Sequence, residues 1–80
     1  RNYMQNEKIV RDLLHELGLS HGVEISLSDD LEEYGFDSLA FVGLITYLEE
    51  NSNVDIDPEE LESLITMKDL DQFLSDKMNQ

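Results

Sequence analysis

Asp37-Ser38-Leu39-Ala40-Phe41-Val42-Gly43-Leu44-Ile45-Thr46-Tyr47-Leu48-Glu49-Glu50 is the stretch that decides the architecture of this chain. Asp37 suits a helix N-cap, because its carboxylate can accept from the free amides of a first turn. A helix is expected behind it, over residues 38–50. Its apolar residues, among them Leu39, Ala40, Phe41, Val42, Leu44, Ile45 and Leu48, cover more than one face. Such a helix is either central to a bundle or has one face in the core and another free for docking. Gly43 in its interior costs about 1 kcal/mol relative to alanine. It either admits a partner's backbone or is a tolerated defect.

Toward the N-terminus, Ile9, Leu13 and Leu17 lie one helical turn apart, with Val10 and Leu14 widening the stripe. Gly18 supplies a stop, which predicts a first helix over residues 5–17. Between Gly18 and Asp37 the period is lost. Isolated apolar residues there (Leu19, Val23, Ile25, Leu27, Leu31, Tyr34 and Phe36) are expected to pin a long connection across the helices. One helical turn is expected within residues 28–32.

Toward the C-terminus, Val54 and Ile56 alternate inward. Asp57-Pro58-Glu59-Glu60 then reads as a helix start, with Asp57 as cap, Pro58 at the first position and Glu60 closing a capping box. A short helix over Pro58–Ser63 follows. Thr66-Met67-Lys68-Asp69 opens a last helix over Met67–Met78, with an inner stripe of Met67, Leu70, Phe73, Leu74 and the stem of Lys77.

The expectation is therefore all-α: a small four-helix bundle, three main helices plus a short one, with a long loop between the first and second. Its expected core is Ile9, Leu13, Leu17, Val42, Ile45, Leu48, Ile56, Leu61, Leu64, Leu70, Phe73 and Leu74. Residues 1–80 form one domain. Residues 1–4 are expected to be disordered or a remnant, since the chain opens at Arg1 rather than at a methionine.

Composition narrows the function. Nineteen acidic residues face five basic ones, for a net charge of -14. Nucleic acid and anionic lipid would repel such a chain, because phosphate binding needs lysine and arginine. Partners with basic patches would attract it. There is no cysteine, hence no disulfide, thiolate metal site or cysteine nucleophile. His15 and His21 have no companions at metal-ligand spacing and are expected at the surface. No apolar run approaches the roughly 20 residues of a membrane span. A monomeric, cytoplasmic protein without membrane insertion is expected. An 80-residue chain builds a thin core, which favours a binding or carrier module over an enclosed enzyme site.

Ser38 stands at an exposed, electropositive helix start, a place that suits phosphate groups. No catalytic triad and no catalytic residue can be assigned around it, so a nucleophilic Ser38 would need activation by another protein. By position alone, serine there is ordinarily a cap.

Asp37-Ser38-Leu39, preceded by Gly35-Phe36 and opening an apolar helix, resembles the attachment motif of the acyl carrier and peptidyl carrier family. The resemblance runs from about Ile9 to Leu74 and takes in Leu31, Val42, Ile45, Leu48, Glu49-Glu50 and Ile56-Asp57-Pro58-Glu59-Glu60-Leu61. It implies that a phosphopantetheinyl transferase, with Mg2+, links 4'-phosphopantetheine covalently to Ser38. The thiol of that arm would hold an acyl or aminoacyl cargo as a thioester. The carrier itself would be no enzyme. It would present cargo to loading and processing enzymes docking on Asp37, Leu39, Phe41 and Val42, and it would have no metal site of its own. Fatty-acid carriers usually place acidic residues just after the serine, where this chain has Ala40 and Gly43 flanking Phe41. That departure, with bulky Tyr47, points to a specialised polyketide, nonribosomal-peptide or related pathway.

Two other readings use different residues. Asn51, Asn53, Asp55, Asp57, Glu59 and Glu62 have the spacing of a calcium-binding helix–loop–helix, although Ile56 stands where the turn needs glycine. A plain acidic interaction domain would leave Ser38 as a cap. The acidic run Asp29, Asp30, Glu32 and Glu33 is expected to be a solvated face, and it could also meet basic residues of the transferase.

Overall fold

A computed structural model describes residues 3–19 and 24–78. Three α-helices form: α1 (Glu7–Glu16), α2 (Ser38–Asn51) and α3 (Met67–Met78), with 3-10 helices at Leu31–Tyr34 and Pro58–Ser63. Among the described residues there is no strand, only an isolated bridge between Asp30 and Thr66. The expected all-α bundle, with its short third helix and long first loop, is what forms. The bounds of Pro58–Ser63 and Met67–Met78 match the sequence reading. His21 lies outside the described residues.

The start of α1 is fastened from across the bundle. Asn6 is its N-cap but makes no side-chain cap bond within its own helix. Instead, the carboxylate of buried Asp71 on α3 accepts from the backbone N–H groups of Gln5 (2.9 Å) and Asn6 (2.8 Å). The Asn6 side-chain amide donates to Asp71 Oδ1 and to Ser75 Oγ, and Ser75 in turn donates to Gln5 Oε1. Met4 is drawn into the core.

At its other end α1 closes with two bonds: Gly18 N–H to the His15 carbonyl and Leu19 N–H to the Leu14 carbonyl. This is the pattern of a glycine-terminated helix in which the residue after glycine packs back on the last turn. Leu19 accordingly lies against the core.

Two core assignments are corrected. On α1 the fully buried residues are Val10, Leu13 and Leu14, whereas Ile9 and Leu17 are only half-buried: the inward face is turned by one residue. On α2 the buried residues are Ala40, Leu44 and Leu48, four apart, and Val42 is 59% exposed. At about 100° per residue, Val42 sits on the far side of the helix from Ala40 and Leu44. Ile45 and Phe41 are half-buried beside the core. Tyr47 donates its hydroxyl to Asp12 Oδ2 at 2.5 Å, tying α2 to α1.

The long loop is stitched to the start of α3. Leu31 N–H donates to the Ile65 carbonyl, Met67 N–H to the Asp29 carbonyl and Lys68 N–H to the Leu27 carbonyl, at 2.8–2.9 Å. Buried Leu31 and Tyr34 add side-chain anchors, and the Tyr34 hydroxyl donates to the Asp29 carboxylate. The helical turn falls at Leu31–Tyr34, three residues later than expected, because Glu33 reaches back to the Asp30 N–H and starts it there.

Capping chemistry sets the C-terminal half. Asp57 accepts from Glu59 N–H while Glu60 accepts from Asp57 N–H. Thr66 and Asp69 exchange a reciprocal pair, in which Asp69 N–H donates to Thr66 Oγ1 and Thr66 N–H to Asp69 Oδ2. The backbone N–H groups of Thr66 and Ile65, both donating to Asp69 Oδ2, hold the Asp69 carboxyl below its usual range. Lys77 places its ammonium 5.8 Å from the centre of the Phe73 ring and pairs with Glu60 at 2.6 Å.

Candidate functional site

The residues around Ser38 are placed by a turn, an anchor and a cap. Gly35 ends the Leu31–Tyr34 turn at φ 97°, a conformation that side-chain-bearing residues avoid. Phe36 then buries its ring and stands 5.3 Å, centre to centre, from the ring of Phe41. The two flank the Asp37 cap as the residue before it and the fourth residue of the helix. That is the position of a hydrophobic staple, which fixes the direction in which a chain enters a helix. Asp37 is extended, and its Oδ1 accepts from Ala40 N–H at 2.9 Å.

Asp37 therefore does the capping, and Ser38 is relieved of it. Ser38 is exposed at the first position of α2, and among the described residues no hydrogen bond engages its hydroxyl. The amides of the first helical turn give this end a partial positive charge. The site thus offers an accessible primary hydroxyl on a rigid corner, with a carboxylate beside it.

The predicted docking residues separate into two groups. Asp37, Leu39 (78% exposed) and Val42 (59% exposed) share the solvent face with Ser38. Phe41 is half-buried and stacked on Phe36, so it shapes the corner rather than projecting from it. Ala40 faces inward. Gly43 is explained within the chain: a Cβ there would lie 2.5 Å from Leu17 Cδ2. It admits a leucine of the α1 terminus rather than a partner's backbone.

Sequence reasoning missed the Phe36–Phe41 staple. Its signal, a large apolar residue on each side of a cap at the right spacing, is present in the sequence.

His15 lies in a different cleft, with Lys8, Arg11, Asp12 and Tyr47. The calcium-loop reading fails on geometry. Asn51 ends α2 and donates to the Tyr47 carbonyl, the Asp57 and Glu60 carboxylates cap a 3-10 helix, and Glu60 also holds Lys77. Among the described residues no three carboxylate or imidazole groups converge on a point where a metal could sit. Of the acidic run, Asp30, Glu32 and Glu33 are exposed, while Asp29 is engaged by Tyr34 and the Ser26 N–H, which lower its pKa. Among the described residues no helix is long and apolar enough to cross a membrane.

Comparison with known proteins agrees with this geometry. Residues 7–74 match the model of the phosphopantetheine attachment site family. The acyl carrier protein of Desulforapulum autotrophicum is 38% identical over 72 residues, covering 89% of this chain and 90% of that protein. The acyl carrier protein of Syntrophobacter fumaroxidans is 34% identical over 85% of this chain and 84% of its own length. That of Nitratidesulfovibrio vulgaris is 30% identical over 89% and 93%. No solved structure matches significantly. With a matched region that runs from the first residue of α1 into α3, this chain belongs to the acyl carrier family, whose members bear acyl groups on a covalently attached 4'-phosphopantetheine.

Proposed function

We propose that Ser38 is the attachment residue and that this carrier serves a specialised pathway of polyketide, nonribosomal-peptide or related type. The observation that carries the first part is the division of labour at the start of α2. Asp37 holds the helix end, which leaves the Ser38 hydroxyl exposed and, among the described residues, without a hydrogen-bond partner. Attachment is a phosphoryl transfer from coenzyme A. Ser38 Oγ forms a bond to the phosphorus that bears pantetheine, the bond from that phosphorus to the leaving 3',5'-adenosine bisphosphate breaks, and the hydroxyl proton passes to a base on the transferase. The carrier supplies the hydroxyl, and the transferase supplies the base and Mg2+.

Docking of the transferase and of the acyl- or aminoacyl-handling enzymes falls to Asp37, Leu39 and Val42, with Phe41 holding the corner. The run of Asp30, Glu32 and Glu33 offers a second contact to basic surfaces. The exposed side of α2 continues from Leu39 and Val42 to Thr46, and its first carboxylates come only at Glu49 and Glu50. An apolar docking face of this kind supports partners other than those that read acidic residues beside the serine. The protein acts as a cytoplasmic monomer.

The test is incubation with coenzyme A, Mg2+ and a broad-specificity phosphopantetheinyl transferase, followed by intact-mass analysis. The native chain is expected to gain one phosphopantetheine, and Ser38→Ala to gain none while keeping native helicity and stability. Equal loading of Ser38→Ala, or no loading of either chain, would refute the assignment.

A further inference from the structure

Positive charge is scarce in this chain, yet two of its five lysines and arginines, Lys8 and Arg11, lie with His15 along one side of α1. Their spacing of three and four residues stacks them on successive turns. With Ile9 and Asp12 of α1 and Tyr47 of α2 they line an open cleft of about 630 Å³. None of these residues belongs to the serine corner. Tyr47 follows Ser38 by nine residues, so it lies about 13 Å farther along α2 and on the opposite side of that helix.

The carboxylates of the cleft and its rim are engaged within the chain. Asp12 accepts from the Tyr47 hydroxyl at 2.5 Å, and Glu7 accepts from Arg11 Nε at 2.9 Å. Glu16, which helps to raise the Tyr47 pKa, lines a neighbouring groove with Leu17 and Leu39 instead. Lys8 and His15 are both exposed, and among the described residues neither side chain has an ion-pair or hydrogen-bond partner. The unengaged polar groups of the cleft are therefore an ammonium and an imidazole with an N–H to donate. Half-buried Ile9 and Tyr47 supply apolar surface beside them.

We infer that this cleft is a second docking site, and that its occupant is an acidic helical segment of a partner protein whose carboxylates meet Lys8 and His15. Two helical turns separate these residues by about 10 Å, too far for one phosphate or one carboxylate to bridge. Two carboxylates two turns apart on a partner helix have the matching spacing, and an apolar residue between them meets Ile9 and Tyr47. Charge decides against other occupants. Nucleic acid and anionic lipid present continuous arrays of negative charge, which a chain of net charge -14 repels, and a second copy of the chain is repelled for the same reason. A partner that is basic elsewhere and carries one acidic helix satisfies both the long-range field and the cleft. Because Tyr47 and Ser38 lie on opposite sides of α2, such a partner holds the carrier with the serine corner open. An enzyme joined to that partner then meets the corner at an effective concentration of the order of mM. The inference does not rest on Ser38 being the attachment residue.

The probe is a lactam-stapled helical peptide with glutamates at positions i and i+7 and leucines at i+3 and i+4. It is titrated into the isotope-labelled full chain and followed by NMR. The expected result is saturable shifts at Lys8, Ile9, His15 and Tyr47, with Leu39 and Val42 unmoved. Lys8→Gln combined with His15→Gln changes two exposed positions. It should weaken peptide binding by about three- to tenfold, keep native helicity and leave the rate of phosphopantetheine loading unchanged. No saturable shift, or equal binding of a peptide with glutamine in place of each glutamate, would overturn the inference. So would shifts centred on Leu39 and Val42, which would put the peptide on the serine corner. Cleft shifts that grow with the concentration of the carrier alone would make a second copy the occupant and overturn the acidic partner. Slower loading of the double variant would overturn the separation of the two sites.

Discussion

Asp71→Ala should be among the most damaging single changes in α3, even though it touches no apolar contact. Asp71 is 6% exposed, and its carboxylate accepts from two backbone N–H groups and one side-chain amide at the start of α1. A hydrogen bond to a charged acceptor contributes about 1.5–3 kcal/mol, and orphaning a buried donor costs about 1–3 kcal/mol. These terms overlap. Gln5 is exposed and Asn6 only half-buried, so water can replace part of what is lost. A loss of about 2–3 kcal/mol is expected, from a total of roughly 5–15 kcal/mol for a domain. For a chain of this size each kcal/mol moves Tm by about 4–8 °C, so Tm should fall by about 10–20 °C.

Asp71→Asn keeps one good acceptor and should lose about half as much. Urea and thermal unfolding followed by far-ultraviolet circular dichroism measure both variants. A double-mutant cycle with Asn6→Ala should return a coupling of about 1 kcal/mol or more. A loss below about 0.5 kcal/mol in Asp71→Ala, the range of ordinary surface changes, would refute the idea that this carboxylate fastens α1.

Further outcomes follow from the same geometry. Gly35→Ala should cost about 1–2 kcal/mol, because φ is 97° and the new Cβ would meet Leu19 at 3.2 Å; unchanged urea midpoints would contradict it. Gly43→Ala should fail to deliver the gain of about 1 kcal/mol that helix propensity promises, because its Cβ must displace Leu17 Cδ2 from 2.5 Å; a full gain in the unfolding free energy would show that the helices do not approach so closely. Tyr34 and Tyr47 are both pushed up to about 12 from 10.0, first by burial and then by the hydrogen-bonded carboxylates of Asp29 and Asp12. A raised pKa in the folded state means stability that is full below pH 10 and lost as pH rises toward 12. Spectrophotometric titration should find both phenols un-ionised at pH values where the urea-unfolded chain has ionised them, and coincident folded and unfolded curves would refute this. Asp69 works in the opposite sense: its lowered pKa gives stability that is present above its ordinary 3.8 and lost as pH falls below it. The stability difference between the native chain and Asp69→Asn should therefore close in acid.

How much of this was legible in the sequence depends on whether the physics is local. Caps are local. Asp37, Asp57 with Glu60, and Thr66 with Asp69 announce themselves within four residues, and the helices they start were placed correctly. The face that a helix buries is not local. Val42 looked like core because α2 is apolar nearly all round, and only the positions of its neighbours decide that Ala40, Leu44 and Leu48 turn inward. Gly43 could be recognised as unusual but not explained, because Leu17 reaches it from a different helix. The Asp71 clasp was equally invisible, since its partners lie 65 and 66 residues away. At the site, the motif around Ser38 was readable. That Asp37 rather than Ser38 carries the cap became definite only with the bond to Ala40 N–H.

The stitches between the long loop and the start of α3 also set an order of events in the life of the chain. The Leu27 and Asp29 carbonyls and the Leu31 N–H find their backbone partners at residues 65–68. Contacts so distant in sequence close late, after the intervening chain has been gathered in. On a ribosome, where domains form as their segments emerge, α1 and α2 can come out with the serine corner still loosely framed. The corner is completed only once the beginning of α3 is free to reach back. A transferase that requires the finished corner would thus act only after the start of α3 has emerged and reached back, and would pass over shorter nascent chains.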